Sequence, residues 1–266
     1  EREADRIGMQ YMYASGYNPQ SMADFFEVMH RSTSRLSFMP DFWYTHPLTS
    51  ERMSEARLRA NQLPAVKPKL RDQEYELIRW YSRVLSGQTT EQQLIGLAQQ
   101  NNFAAQMALA AYYVEKNDYQ AAQSALNQAK KISSNHPLLT LLQTDVYLGR
   151  NQVAEALGII HTAAIIMPEH RALNYKYAEA LIRANQSIDA KAVIQRFLKN
   201  NERDLSGWRL MQMATIADAA SPVKAINVLR YRAEVEYWSG QEETAIKTLL
   251  HAQRISKSNQ SLSHAI

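Results

Sequence analysis

The 266-residue chain contains no cysteine, which excludes disulfides, thiol catalysis and thiolate-bound zinc. Eight glycines and eight prolines are few for this length. With alanine, leucine and glutamine abundant in the middle, the composition favours helix over strand. No stretch approaches the roughly 18 uninterrupted apolar residues of a membrane span. The most apolar tract, Ala154 to Met167, is broken by Glu155 and His161 and reads as a buried helix. A His-Glu-x-x-His helix is also missing: the seven histidines are scattered, and none lies four residues from another. Charge of one sign is not concentrated either. Thirty basic and twenty-six acidic residues are interspersed, for a formal net charge of +4. That is a mildly basic surface rather than a nucleic-acid footprint, and the aromatics fall at helix-core spacing instead of alternating with lysine and arginine. Nucleic acid is not an expected partner, and contact with a membrane is peripheral at most.

What is present begins at the first residue. Glu1 and Asp5 are four residues apart at the head of a helical pattern, so both carboxylates share one face, one turn apart. Downstream, Thr45-His46-Pro47-Leu48-Thr49-Ser50-Glu51-Arg52 sets a histidine before a proline and an arginine five residues after it. Pro47 biases His46 toward extended backbone, a turn or loop.

These two elements, in this order and ahead of a helical array, resemble the gluzincin metallopeptidases of family 48, and within them a periplasmic Gram-negative branch that carries repeats. The Glu-x-x-x-Asp is similar to that family's third-ligand helix, and His46-Pro47 with Arg52 to its His-Pro-x-x-x-x-Arg element. The resemblance implies that Glu1 is the carboxylate of a two-histidine, one-carboxylate zinc site and that Asp5 orients a ligand imidazole from behind. It implies that His46 contacts the metal as a fourth ligand or steadies an oxyanion, and that Arg52 braces the site through a carboxylate. The plain alternatives are a solvated helix-end carboxylate for Glu1 and a packing or capping histidine for His46. Two zinc ligands and the general base are missing from this sequence, so nothing in it generates hydroxide from metal-bound water. The expectation is a C-terminal portion of a longer periplasmic enzyme, inactive alone, with zinc in the complete protein and none in this portion. The partners implied are the outer-membrane beta-barrel assembly machinery and unfolded or misassembled outer-membrane proteins. The competing reading is a non-catalytic repeat adaptor in which Glu-x-x-x-Asp is coincidence.

The fold expected is all-α: the last helices of a zinc metallopeptidase domain over residues 1–63, a linker at 64–71 rich in proline and lysine, and a tetratricopeptide-repeat solenoid over 72–266. Helices are expected from Glu1 to about Ser15, from Pro19 with Met22, Phe25, Phe26 and Met29 at core spacing, and from Ser50 to Gln62. Alanine then recurs at Ala122, Ala156 and Ala190, each followed four residues later by Leu126, Ile160 and Ile194. A 34-residue period is that of tetratricopeptide hairpins. Ala110, Thr144 and Ala178 mark a second small position, with Tyr113 and Tyr147 three residues on. Beyond Trp208 the phase slips, and Gly240, Ala245, Leu249 and Ala252 restart it 21 residues late. Counting from this phase, Met107, Val114, Leu141, Asp145, Leu148, Tyr175, Glu179 and Ile182 line the inner face. Met107, Leu141, Asp145, Tyr175 and Glu179 are the candidates for a groove that grips an extended peptide or a partner loop. For each apolar member, ordinary inter-helix packing is the other reading.

Overall fold

A computed structural model describes residues 1–33, 50–66, 73–100 and 102–258. All regular structure among them is helical. The chain divides into two compact units, Glu1–Glu76 and Leu77–Ile266. Of the proposed linker, only residues 64–66 are described, and they are not helical.

The first unit contains α1 (Arg2–Ala14), α2 (Gln20–Thr33) and α3 (Ser50–Gln62). Both α1 and α2 pack against α3. A stop motif ends α1: Gly16 takes φ 78°, its N–H donates to the Tyr13 carbonyl at 2.9 Å, and the Tyr17 N–H donates to Met12 at 2.8 Å. Such a left-handed residue costs glycine nothing and satisfies carbonyls the helix would otherwise leave open. The core is Met9, Ala23, Phe26, Ala56 and Ala60, with Met22, Met29, Met53 and Leu63 half-buried around it. Phe25, expected at a core position, is 58% exposed. Ala23 and Phe26 form the inward face instead, three residues apart, and Phe25 falls about 100° off it.

The second unit is a run of helices: α4 (Gln73–Leu85, which spans the division between units), α5 (Glu91–Ala98), α6 (Phe103–Glu115), α7 (Tyr119–Ile132), α8 (Pro137–Gly149), α9 (Val153–Ile166), α10 (Arg171–Arg183), α11 (Ser187–Asn200), α12 (Leu205–Ala217), α13 (Lys224–Trp238) and α14 (Glu242–Ser258). From α6 on, each helix packs against its chain neighbours, and α6, α8, α10 and α12 also pack in succession on one another. The helices α6, α8, α10 and α12 start 34 residues apart, each capped by the side chain just before it: Asn102, His136, His170 and Asp204. The first three end in the same way. Asn117, Asn151 and Asn185 hold φ of 58°, 59° and 61°, and the residue after each donates back to Tyr113, Tyr147 and Leu181 at 2.8–2.9 Å. Asparagine tolerates this backbone because its short side chain bonds locally. Three copies of one turn give three copies of one hairpin.

The small recurrent positions are where the hairpins close. Ala122, Ala156, Ala190, Ala110, Thr144 and Ala178 are all fully buried, as are Ile160 and Ile194, with Leu126 at 1%. Covering an isoleucine this completely stabilises by about 1.5–3 kcal/mol relative to leaving it in water. α6 departs from its counterparts. Phe103 to Ala111 are buried without interruption, because Leu77, Trp80, Tyr81, Val84 and Leu94 from α4 and α5 join its core cluster. A helix apolar all round must be covered all round.

The phase slip is equally visible. α12 keeps the 34-residue register, but its link to α13 runs through Pro222 and lacks the asparagine turn, so α13 starts three residues late. The left-handed turn returns at Gly240, φ 80°, 55 residues after Asn185. Ala245 and Ala252 resume burial at 3% each, whereas Leu249 does not: it is 48% exposed, and Thr248 is the buried neighbour.

Candidate functional site

In the first unit, the N-terminal ends of α1 and α3 are bound by one guanidinium. Arg52, in the first turn of α3, donates from Nε and Nη2 to the two carboxylate oxygens of Asp5 at 2.8 and 2.9 Å. From Nη1 it donates to Glu1 Oε2 at 2.9 Å. The bidentate fork is the strong form of such a pair. It is also sheltered: the Arg52 and Asp5 side chains are 14% and 16% exposed, Glu1 32%. The Phe26 ring lies 5.3 Å from the guanidinium carbon, a cation–π contact that ties the clasp to the apolar core. Hydrogen bonding to Asp5 raises the Arg52 pKa; burial works against that, and the charges of Asp5 and Glu1 add to it. Glu1 precedes α1 yet makes no capping bond with its side chain, so its carboxylate is turned toward α3. Outside the clasp, Arg2 pairs with Glu51 at 2.5 Å on the surface.

Glu1, Asp5 and Arg52 are thus brought together, while His46 lies outside the described residues. Both Asp5 oxygens are engaged by Arg52, but each retains a second lone pair, so an imidazole N–H can still be accepted. A catalytic zinc needs three protein ligands. Among the described residues, no group of three or more His, Cys, Asp or Glu is arranged to hold a metal. Among the described residues, Glu1 is a single held carboxylate rather than part of a metal-binding cluster.

In the second unit, the groove candidates separate into two kinds. Met107 is fully buried and Tyr175 is 7% exposed; neither lines an open surface. Met107 is covered because α4 and α5 enclose α6, and the Tyr175 hydroxyl donates to Asp204 Oδ2 at 2.9 Å. Leu148, at 5%, is likewise core. Leu141, Val114 and Ile182 are half-buried. Asp145 and Glu179 do face one another across Lys176, whose Nζ donates to them at 2.6 and 2.7 Å. Burial alone would lower the Lys176 pKa, but the two carboxylates outweigh it and hold it up at about 12. Burial pushes the Asp145 carboxyl up, against the pull of Lys176. The Tyr81 phenol of α4 is raised by burial and by the Asp145 charge, with Lys176 opposing. Lys176 was missed by the sequence reading; its position three residues before Glu179 was the available signal.

A second polar knot joins α10 to α12. Arg171 grips Asp204 bidentately at 2.5 and 2.6 Å, and the Ser206 and Gly207 N–H groups donate to the same carboxylate at 3.0 and 3.1 Å. Burial pushes the Asp204 pKa up, but the bonds from Arg171, Gly207 and Tyr175 prevail and leave it lowered.

Comparison with known proteins follows this division. Residues 1–60, which carry the clasp, match Peptidase family M48. The chain is 32% identical over 223 residues to the beta-barrel assembly-enhancing protease of Escherichia coli (strain K12), covering 82% of this chain and 46% of that protein. It is 28% identical to the protein of the same name from Yersinia pestis, over 95% of this chain and 52% of that one. With a putative beta-barrel assembly-enhancing protease of Vibrio cholerae it shares 26% over 80% of this chain and 46% of that one. The match to the M48 peptidase family lies in residues 1–60, and the chain is a homologue of proteins named beta-barrel assembly-enhancing protease. It spans about half the length of the curated relatives it matches. No described helix is long and apolar enough to cross a membrane.

Proposed function

We propose that this chain supplies the acidic zinc ligand and the binding array of a zinc metalloendopeptidase of the Gram-negative periplasm, one that aids outer-membrane beta-barrel assembly and degrades misassembled barrel proteins. The observation that carries the reading is the Arg52 clasp on Glu1 and Asp5, lying within the stretch that matches the peptidase family. In this reading Arg52 holds the Glu1 carboxylate at the end of α1, fixing the donor before any metal arrives. Asp5 anchors Arg52 and keeps lone pairs for a ligand imidazole. Glu1 would hold zinc together with the two imidazoles of a His-Glu-x-x-His helix, a motif this sequence lacks, and the metal would supply Lewis acidity toward water and the scissile carbonyl. His46 stands near enough in sequence to Arg52 to act on the same site, as ligand or oxyanion donor.

The tetratricopeptide array serves recruitment. The Asp145–Lys176–Glu179 stripe and the half-buried Leu141 offer polar and apolar contacts to a client or to the assembly machinery. Because the repeat unit has its own core clusters, a stand-alone adaptor is the second reading. One comparison separates them: zinc content and casein cleavage of this 266-residue polypeptide and of the form extended upstream along its gene. The protease reading requires no stoichiometric zinc and no cleavage from the shorter form, and both from the longer. Stoichiometric zinc in the shorter form, or an upstream sequence without His-Glu-x-x-His, would sink it.

A further inference from the structure

Where the repeat period slips, a cleft opens. α11 and α13 each pack on α12, and between them lies a space of about 890 Å³. Its residues come from the second helix of the third hairpin and from the irregular helices after it, not from the inner-face positions considered above. Trp208, Tyr231 and Trp238 supply the apolar side. The Trp208 and Tyr231 rings are stacked, centroids 5.9 Å apart at 24°, and all three are only half-buried. The Trp238 indole N–H is buried and has no acceptor among the described residues.

The cationic side is under-neutralised. Lys191 is matched by Asp218 at 2.7 Å. Lys199 and Arg230 are exposed and have no ion pair with any described residue. Arg196 bonds only the neutral oxygens of Pro168 and Asn174, at 2.9 and 2.8 Å. Arg203 lies over the Trp238 ring, its guanidinium carbon 5.6 Å from the centroid. Two carboxylates, Glu202 and Glu234, also line the space.

We propose that this cleft binds an extended acidic peptide bearing aromatic side chains. Ligand carboxylates pair with Lys199 and Arg230, and a ligand aromatic ring packs on the Trp208–Tyr231 face. Glu202 and Glu234 select against a polyphosphate, which would meet them along an unbroken line of charge, and suit a polypeptide, whose backbone N–H groups can donate to them. The site stands on the second unit alone and does not depend on the zinc reading.

The test is fluorescence anisotropy of a labelled octapeptide of alternating glutamate and tyrosine titrated with the full chain. Saturable binding that weakens with salt is expected, with a glutamate–serine peptide weaker and a lysine–tyrosine peptide not retained. Lys199→Glu with Arg230→Glu lowers affinity by about tenfold or more. Both side chains are exposed, so helicity by circular dichroism stays at the wild-type level; Arg230→Ala, a gentler change, gives a smaller loss in the same direction. The proposal fails if the charge reversals leave affinity unchanged, if oligothymidylate or the lysine–tyrosine peptide binds as tightly, or if the glutamate–tyrosine peptide does not bind.

Discussion

The two units are held together by different means. In residues 77–266, period does the work: a buried alanine, a buried isoleucine or leucine and a left-handed asparagine recur every 34 residues, and each hairpin repeats the contacts of the last. In residues 1–76, no element repeats. A small methionine-rich cluster carries the apolar share, and a three-way ion pair fixes the ends of two helices. A repeating core spreads its stability over many equivalent positions, whereas a clasp concentrates geometry at one. The first arrangement suits a surface that must present a long face. The second suits a group that must sit in one place.

Truncating the periodic core should have the largest effect. Ile160→Ala, at a fully buried site, is expected to cost about 2–5 kcal/mol, read as a lower urea midpoint. A loss below 1 kcal/mol would mean that the hairpins tolerate voids and that period is not what binds them. Next comes the α10–α12 knot. Asp204→Ala removes a side chain of a residue 5% exposed that accepts from four residues, Arg171, Tyr175, Ser206 and Gly207, and should cost about 2–3 kcal/mol. Because the folded Asp204 pKa is lowered, its contribution is present above the unfolded value and lost as pH falls below about 4. The variant should therefore show a shallower acid destabilisation than the wild type, measured as urea midpoint against pH.

Arg52→Ala is the counterpart in the first unit. It leaves Glu1 and Asp5 facing each other without their shared cation and should cost about 1–2 kcal/mol, detected by hydrogen exchange of α1 and α3. Exchange in α6 to α11 should stay unchanged, since the clasp lies in the other unit. The smallest effect belongs to the turn. Asn151 sits at φ 59°, so Asn151→Val should cost roughly 1 kcal/mol and Asn151→Gly only a few tenths. Equal costs would show that the left-handed turn is not what the asparagine supplies.

How much of this was legible depended on repetition. The alanine series at 122, 156 and 190 gave the register of the hairpins, and the slip after Trp208 marked where regularity ends, because a helix-pair period writes itself into spacing. Single-copy features were harder. Phe25 satisfies helical spacing yet faces out, since that spacing allows a stripe upwards of about 100° wide while the buried side of α2 is centred on Ala23 and Phe26. Met107 and Tyr175 follow the phase of the inner face, but α4 and α5 cover the first, and Asp204, 29 residues away in sequence, captures the hydroxyl of the second. Long-range partners leave no periodic trace. The same holds for Lys176, and for the basic and aromatic cleft assembled from α11, α12 and α13. Of the first unit's site, the Glu1 and Asp5 pair could be seen as a shared face, and Arg52 as a brace; that one guanidinium holds both carboxylates leaves no local pattern, because Arg52 lies 47 and 51 residues from them.

The claim on which the functional reading rests is that Glu1, held by Arg52, is a zinc donor. Zinc stoichiometry of the upstream-extended polypeptide, with Glu1 intact and as Glu1→Ala, tests it most directly. The account predicts one zinc per chain in the first and loss of tightly held zinc in the second, with Arg52→Ala falling between them. Full zinc retention by the Glu1→Ala protein would contradict it.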